Sequence, residues 1–131
     1  MIAAFSILLN GVEALGSFLT PSNSSKKDNF YAFIEEYMRD WDTTVEIEPY
    51  QLKKFLWKHF RNGIAHAFVI EKGGIEYKAD TEKWRVNNGR LEVGPIAFFK
   101  DFSTGVDNFF NDIKSKHRYD FILRFKESYP C

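Results

Sequence analysis

Apolar positions recur at helical spacing over most of the chain and alternate in one short stretch near its middle. From about Ile2 to Leu19 the residues are largely apolar, which predicts a first helix closed by the polar connection Pro21-Ser22-Asn23-Ser24-Ser25. Phe30, Phe33, Ile34, Tyr37 and Met38 predict a second helix with Asp28 as its N-cap and an end near Arg39 or Asp40. A third is expected to start at Glu48-Pro49, because proline suits the first turn, with Leu52, Phe55, Leu56 and Phe60 as its apolar face. Beyond His66 the period changes. Phe68-Val69-Ile70 and Ile75-Glu76-Tyr77 flank Glu71-Lys72-Gly73-Gly74 as one expected hairpin; Trp84-Arg85-Val86 and Arg90 to Val93 flank Asn87-Asn88-Gly89 as another. Gly94-Pro95 then opens a long helix to about Ser115, with Phe98, Phe99, Phe102, Val106, Phe109, Phe110 and Ile113 as a broad apolar stripe. His117 to Tyr129 either continues it or packs as a separate short helix. The pattern predicts a mainly α fold: a bundle of four to five helices in one domain over 1–131, with a β-hairpin insertion at about 67–93.

Composition narrows the class. A chain of 131 residues with 44% hydrophobic and 18% aromatic content can bury its own core and is not disordered. Its single cysteine, Cys131, excludes an intrachain disulfide and a cysteine-based metal site, which fits a reducing, cytoplasmic setting. The segment Met1 to Leu19 starts without Lys or Arg, carries Asn10 and Glu13, and lacks a small-residue cleavage signal. It is also too polar to span a bilayer, so it is read as a buried helix of a soluble protein with no membrane partner.

Charge is balanced in total but not along the chain. Asp28 to Glu48 holds seven acids against Arg39 alone, whereas Pro49 to Ile70 holds Lys53, Lys54, Lys58 and Arg61 and no acid. That basic segment either favours a polyanion or forms an ordinary solvated helix face.

Within it lies Arg61-Asn62-Gly63-Ile64-Ala65-His66. An arginine offers a permanent planar fork of donors to phosphate oxygens, and a histidine exchanges protons near neutral pH. Together they suit phosphodiester cleavage without a metal: His66 moves a proton, Arg61 stabilises charge building on phosphorus, and Asn62 orients His66 or binds phosphate. In a continuous α-helix five residues turn through about 140° net, so Arg61 and His66 would face apart. Either the helix breaks near Gly63, or two copies of the chain assemble one site.

Arg-Asn-x-x-x-His at the end of a helix in a small helical bundle resembles the motif of the HEPN superfamily (higher eukaryotes and prokaryotes nucleotide-binding domains). Glu13 within Ile7-Leu8-Leu9-Asn10-Gly11-Val12-Glu13-Ala14-Leu15 also resembles the first helix of several members. The resemblance implies a metal-independent endoribonuclease without a cofactor, acting as a homodimer in toxin–antitoxin, phage-defence or CRISPR settings, with an antitoxin or regulatory protein as a partner. It implies Arg61, Asn62 and His66 as catalytic residues acting on single-stranded RNA. One departure stands out. Where the branch silenced by nucleotidylation has a tyrosine two residues after the histidine, this chain has Phe68, which has no hydroxyl to modify. The alternative is a non-catalytic HEPN-like module that binds a nucleotide, RNA or a protein; a third reading is an unrelated helical interaction module.

The remaining polar residues have two readings each. Lys54 and Lys58 are candidate substrate contacts or solvated surface. Arg61 could bridge to an acid of the second helix. Glu13, with Asn10 on an apolar helix, needs a partner because a lone buried carboxylate is costly; Arg61 or Asn62 would make it an orienting residue. His59 lies on the Leu52/Leu56 face, as a core or interface histidine or an auxiliary one. His117 and Arg118 sit in a basic tail. Three scattered histidines give no metal-ligand spacing, and no P-loop or nucleophile elbow is present.

Overall fold

The computed structural model describes residues 2–48, 50–61, 73–75, 82–87 and 89–115. Helix α1 spans Ile2–Gly16 and turns Phe5, Leu9 and Val12 into the core. It stops short of Leu19 as the Ser17 amide reaches back to Glu13 and Ala14 and the Ser17 hydroxyl donates to the Ala14 carbonyl at 2.6 Å. Gly16 sits where α1 meets the next helix: a Cβ there would lie 1.7 Å from the Asn29 carbonyl oxygen. The opposite face of α1 is open. Ala4, Asn10 and Ala14 are exposed and Ile7 is 70% exposed, so α1 is half-buried rather than the wholly buried helix its composition suggests.

Helix α2 spans Lys26–Tyr37, and its N-cap is Ser25, not Asp28. Ser25 holds extended backbone, and its hydroxyl accepts the Asp28 amide at 3.1 Å. Asp28 instead lies in the first turn, where its charge meets the positive end of the helix. Phe30, Phe33 and Ile34 are fully buried, and the helix ends two to three residues earlier than expected, in a 3₁₀ turn at Arg39–Trp41.

Helix α3 starts at Leu52, later than Glu48-Pro49, because the chain before it is held in a tight loop. Thr44 bridges Gln51, the Val45 amide donates to the Tyr50 carbonyl at 2.7 Å, and Tyr50 adopts φ +67°. Pro49 lies outside the described residues. From Leu52–Phe55 the helix continues as a π-helix over Leu56–Arg61, a wider turn often found at functional sites. Leu52, Phe55, Leu56 and Phe60 are all fully buried, as their spacing predicts.

Among the described residues three short strands follow: β1 Gly73–Ile75, β2 Trp84–Asn87 and β3 Arg90–Val93, in the order β1-β3-β2. The second expected hairpin is present. Trp84 pairs with Val93 and Asn87 with Arg90, and Gly89 takes φ +72°, which glycine reaches without Cβ strain. Of the turn expected over Glu71 to Gly74, Gly73 and Gly74 are strand residues: they lie in β1, which runs parallel to β3. The other residues of that expected hairpin lie outside the described ones.

Helix α4 spans Pro95–Ser115, starting at the expected proline and running to the last described residue. Phe98 and Phe109 are buried and Phe102, Val106 and Ile113 pack against the core. Phe99 and Phe110 are 55% and 48% exposed, so the apolar stripe is narrower than its residues suggest. The segment His117 to Tyr129 lies outside the described residues. The hairpin docks through Trp84 on Trp41 at 5.2 Å between ring centroids, and Trp41 meets Phe98 edge-on at 4.8 Å. Lys83 adds ion pairs to Asp101 and Asp40, and the Trp41 indole donates to Asp101 at 2.8 Å. The chain is thus mainly helical with a small antiparallel hairpin, widened by β1.

Candidate functional site

Arg61 is the last described residue of the π-helical segment, and three elements fix it. Its Nε donates to Glu13 Oε2 of α1 at 2.9 Å, and its Nη2 lies 2.9 Å from the same oxygen. The guanidinium also lies over the Trp57 ring, 5.5 Å from the centroid. Trp57 is backed in turn by Phe30 of α2 at 5.5 Å. Both Arg61 and Glu13 keep only about one-sixth of their side-chain exposure, 16% and 15%. Glu13 therefore has the partner its place on an apolar helix demands. The expectation that Arg61 bridges to α2 is corrected: the acid it reaches is on α1, and α2 contributes the aromatic backing.

The geometry of this pair has a chemical consequence. An arginine carries five N–H donors. Glu13 occupies the side edge formed by Nε and Nη2, and among the described residues the terminal edge formed by Nη1 and Nη2 meets no acceptor. A terminal edge held in place by a carboxylate at its side and a ring at its face is a preset fork for two phosphate oxygens.

The other candidate residues divide. Lys54 and Lys58 are exposed on the outer side of this segment. Lys53 is committed elsewhere, to Glu35 at 2.6 Å and Asp42 at 2.9 Å. Burial pulls the Lys53 pKa down, but its hydrogen bonds to these two acids more than offset that and leave it raised. Lys53 also lies 5.9 Å from the Tyr31 ring centre. The local positive charge is therefore smaller than the count of bases implies. His59 is buried, with its ring 4.5 Å from that of Phe55, in keeping with a core histidine. Asn10 is exposed, and the Glu13–Arg61 pairing is made without it. Asn62 and His66, with Phe68, His117 and Arg118, lie outside the described residues.

Trp57 was not apparent from the sequence. The signal that could have found it is its place four residues before Arg61, which sets an aromatic ring beneath a cation on one helix.

A cleft of about 510 Å³ lies elsewhere, between the end of α2 and α4. Glu36, Arg39, Asp40, Asp101 and Asp112 line it. Asp112 accepts from the Tyr37 hydroxyl at 2.7 Å and Asp101 from Trp41 and Lys83, so these acids serve the packing of α2 and the hairpin on α4. Among the described residues no group of three or more His, Cys, Asp or Glu side chains could hold a metal ion, and no helix is long and apolar enough to cross a membrane.

No protein-family model, curated protein or solved structure matches the chain.

Proposed function

We propose that this chain is a metal-independent endoribonuclease of the HEPN type that cleaves single-stranded RNA by attack of a ribose 2′-hydroxyl. The observation that carries this reading is Arg61, clamped by Glu13 and Trp57 with its terminal edge directed away from the carboxylate. A fixed guanidinium stabilises a phosphorane better than a mobile one, because no reorganisation is needed as charge develops. His66 supplies proton transfer, worth roughly 10²–10⁴ in rate for each role, and Asn62 orients it or binds phosphate. Exposed Lys54 and Lys58 guide the RNA backbone. Products are a 2′,3′-cyclic phosphate and a 5′-hydroxyl; DNA, lacking the 2′-hydroxyl, is not cut. The working form is a cytoplasmic homodimer, in which two His66 side chains supply base and acid, in a toxin–antitoxin or phage-defence setting with an antitoxin or regulatory partner.

Two observations favour a second reading, a non-catalytic module that binds RNA, a nucleotide or a protein. Glu13 neutralises Arg61, and the chain has no net charge to hold RNA unaided. Cleavage of a labelled single-stranded RNA in EDTA separates the two. Wild type should cut and leave cyclic-phosphate ends, and His66→Ala should not. A folded wild type that leaves several RNAs intact refutes the nuclease.

A further inference from the structure

We propose that Glu13, Arg61 and Trp57 form a charge-selective phosphate site that takes the singly charged diester inside a nucleic-acid strand and rejects doubly charged terminal phosphates and free nucleotides. The inference rests on reading Arg61 as a phosphate ligand, and it names what decides which phosphate enters.

The argument begins with the pair itself. The Glu13 carboxylate spends one of its oxygens on two donors of Arg61, and both side chains are largely withdrawn from water. Together they carry no net charge, so an incoming phosphate meets a fork of donors without a net cation behind it. A diester brings one negative charge to that fork. A phosphate monoester or inorganic phosphate brings up to two, and its second charge gains nothing from an already neutralised guanidinium while it is repelled by Glu13 at short range.

Trp57 bears on the same point from the other side. Its ring covers the face of the guanidinium and is itself backed by Phe30, so Arg61 cannot swing away from Glu13 without losing that contact. The low-polarity surroundings also weaken screening between Glu13 and the ligand, which sharpens the discrimination by charge. Glu13 is thus a specificity residue acting through Arg61. It makes a neutral site select for a polymer interior over its ends, a distinction that separates an endonucleolytic substrate from a mononucleotide.

Displacement titrations at about pH 8, where inorganic phosphate is chiefly the dianion, test this. A fluorescent, uncleavable 2′-deoxy oligonucleotide with hydroxyl ends reports diester binding by anisotropy, and inorganic phosphate is the competitor. Glu13→Gln keeps the shape and an acceptor oxygen but removes the charge. Inorganic phosphate should displace the oligonucleotide from Glu13→Gln at a concentration about tenfold lower, relative to oligonucleotide affinity, than from wild type. Arg61→Ala should weaken oligonucleotide binding in both backgrounds, and circular dichroism melting checks that each variant is folded. An unchanged ratio in folded Glu13→Gln overturns the inference, as does a wild type that binds neither probe or an Arg61→Ala variant that binds like wild type. RNA cleavage is scored separately: charge selection without cutting in EDTA removes the nuclease reading and leaves the charge-selective site standing.

Discussion

Replacing Gly16 with alanine tests whether the close meeting of α1 and α2 sets the architecture around Arg61. An added Cβ would lie 1.7 Å from the Asn29 carbonyl oxygen and 2.5 Å from its carbon. An ordinary carbon–oxygen contact is about 3.3 Å, so the two backbones must part by about 1.6 Å. Neither is a side chain that can rotate away. A gap of that size between packed helices forfeits half or more of the dispersion energy across it, affecting core residues of the two helices near the contact such as Val12, Phe30 and Phe33. The gain in helix propensity from glycine to alanine is at most about 1 kcal/mol and smaller at a helix end. The net expectation is a loss of about 3–4 kcal/mol, a large share of the roughly 5–15 kcal/mol of a typical domain. Unfolding entropy for a chain of this length is about 0.28 kcal/mol/K, so the midpoint should fall by about 10–14 °C. Urea and thermal unfolding followed by circular dichroism measure it. Gly11→Ala is the control, because its Cβ would meet only the tip of the Phe102 ring, at 2.9 Å, and should cost less than about 1 kcal/mol. A Gly16→Ala protein within about 0.5 kcal/mol of wild type, or no different from Gly11→Ala, refutes the reasoning.

Ser25→Ala should cost about 1 kcal/mol in urea unfolding, the usual value of an N-cap, and Asp28→Ala less than half of that; the reverse order would return the cap to Asp28. Lys83 is raised above the ordinary lysine pKa of 10.5 by its hydrogen bonds to Asp101 and Asp40. A raised folded pKa gives stability that is complete below the unfolded value and is lost as pH climbs through the folded one. Lys83→Met should therefore lower stability near neutral pH by less than about 1 kcal/mol, because the side chain is about one-third exposed, and flatten the alkaline limb of the stability profile above pH 10.5. Trp57→Ala should cost about 2 kcal/mol in unfolding through lost contact with Phe30, and should weaken oligonucleotide binding as Arg61 loses its face support. Retained affinity in that variant would remove Trp57 from the site.

The helices were legible where one side of the chain alone decides burial. The start of α4 at Pro95 was legible because glycine and proline followed by a dense phenylalanine period mark it locally. The start of α3 was not, because a bridge from Thr44 to Gln51 holds the preceding loop, and pairing across a loop leaves no periodic trace. Ser25 was hidden in a run of polar residues, any of which could cap a helix. Gly73-Gly74 reads as a turn on composition and becomes a strand only through its distant partner β3. At the site, the need of Glu13 for a partner is readable from the cost of burying it, and Arg61 is one of the two partners the sequence offers. Trp57 passes by default for a core residue of a helix; its place four residues before Arg61 is a weak signal, which the position of Arg61 over its ring makes meaningful.

The hairpin's attachment through Trp84 to Trp41 gives this protein a built-in optical gauge. Two indole rings 5.2 Å apart and inclined at 57° lie close enough to couple electronically, so detaching the hairpin alters the tryptophan signal while the helices still absorb as helices. Lys83 sits next to Trp84 and forms ion pairs at the same junction, so salt should loosen this corner before it melts the bundle. Spectra recorded across a salt series can thus resolve whether the β insertion opens as an independent unit or only with the whole domain.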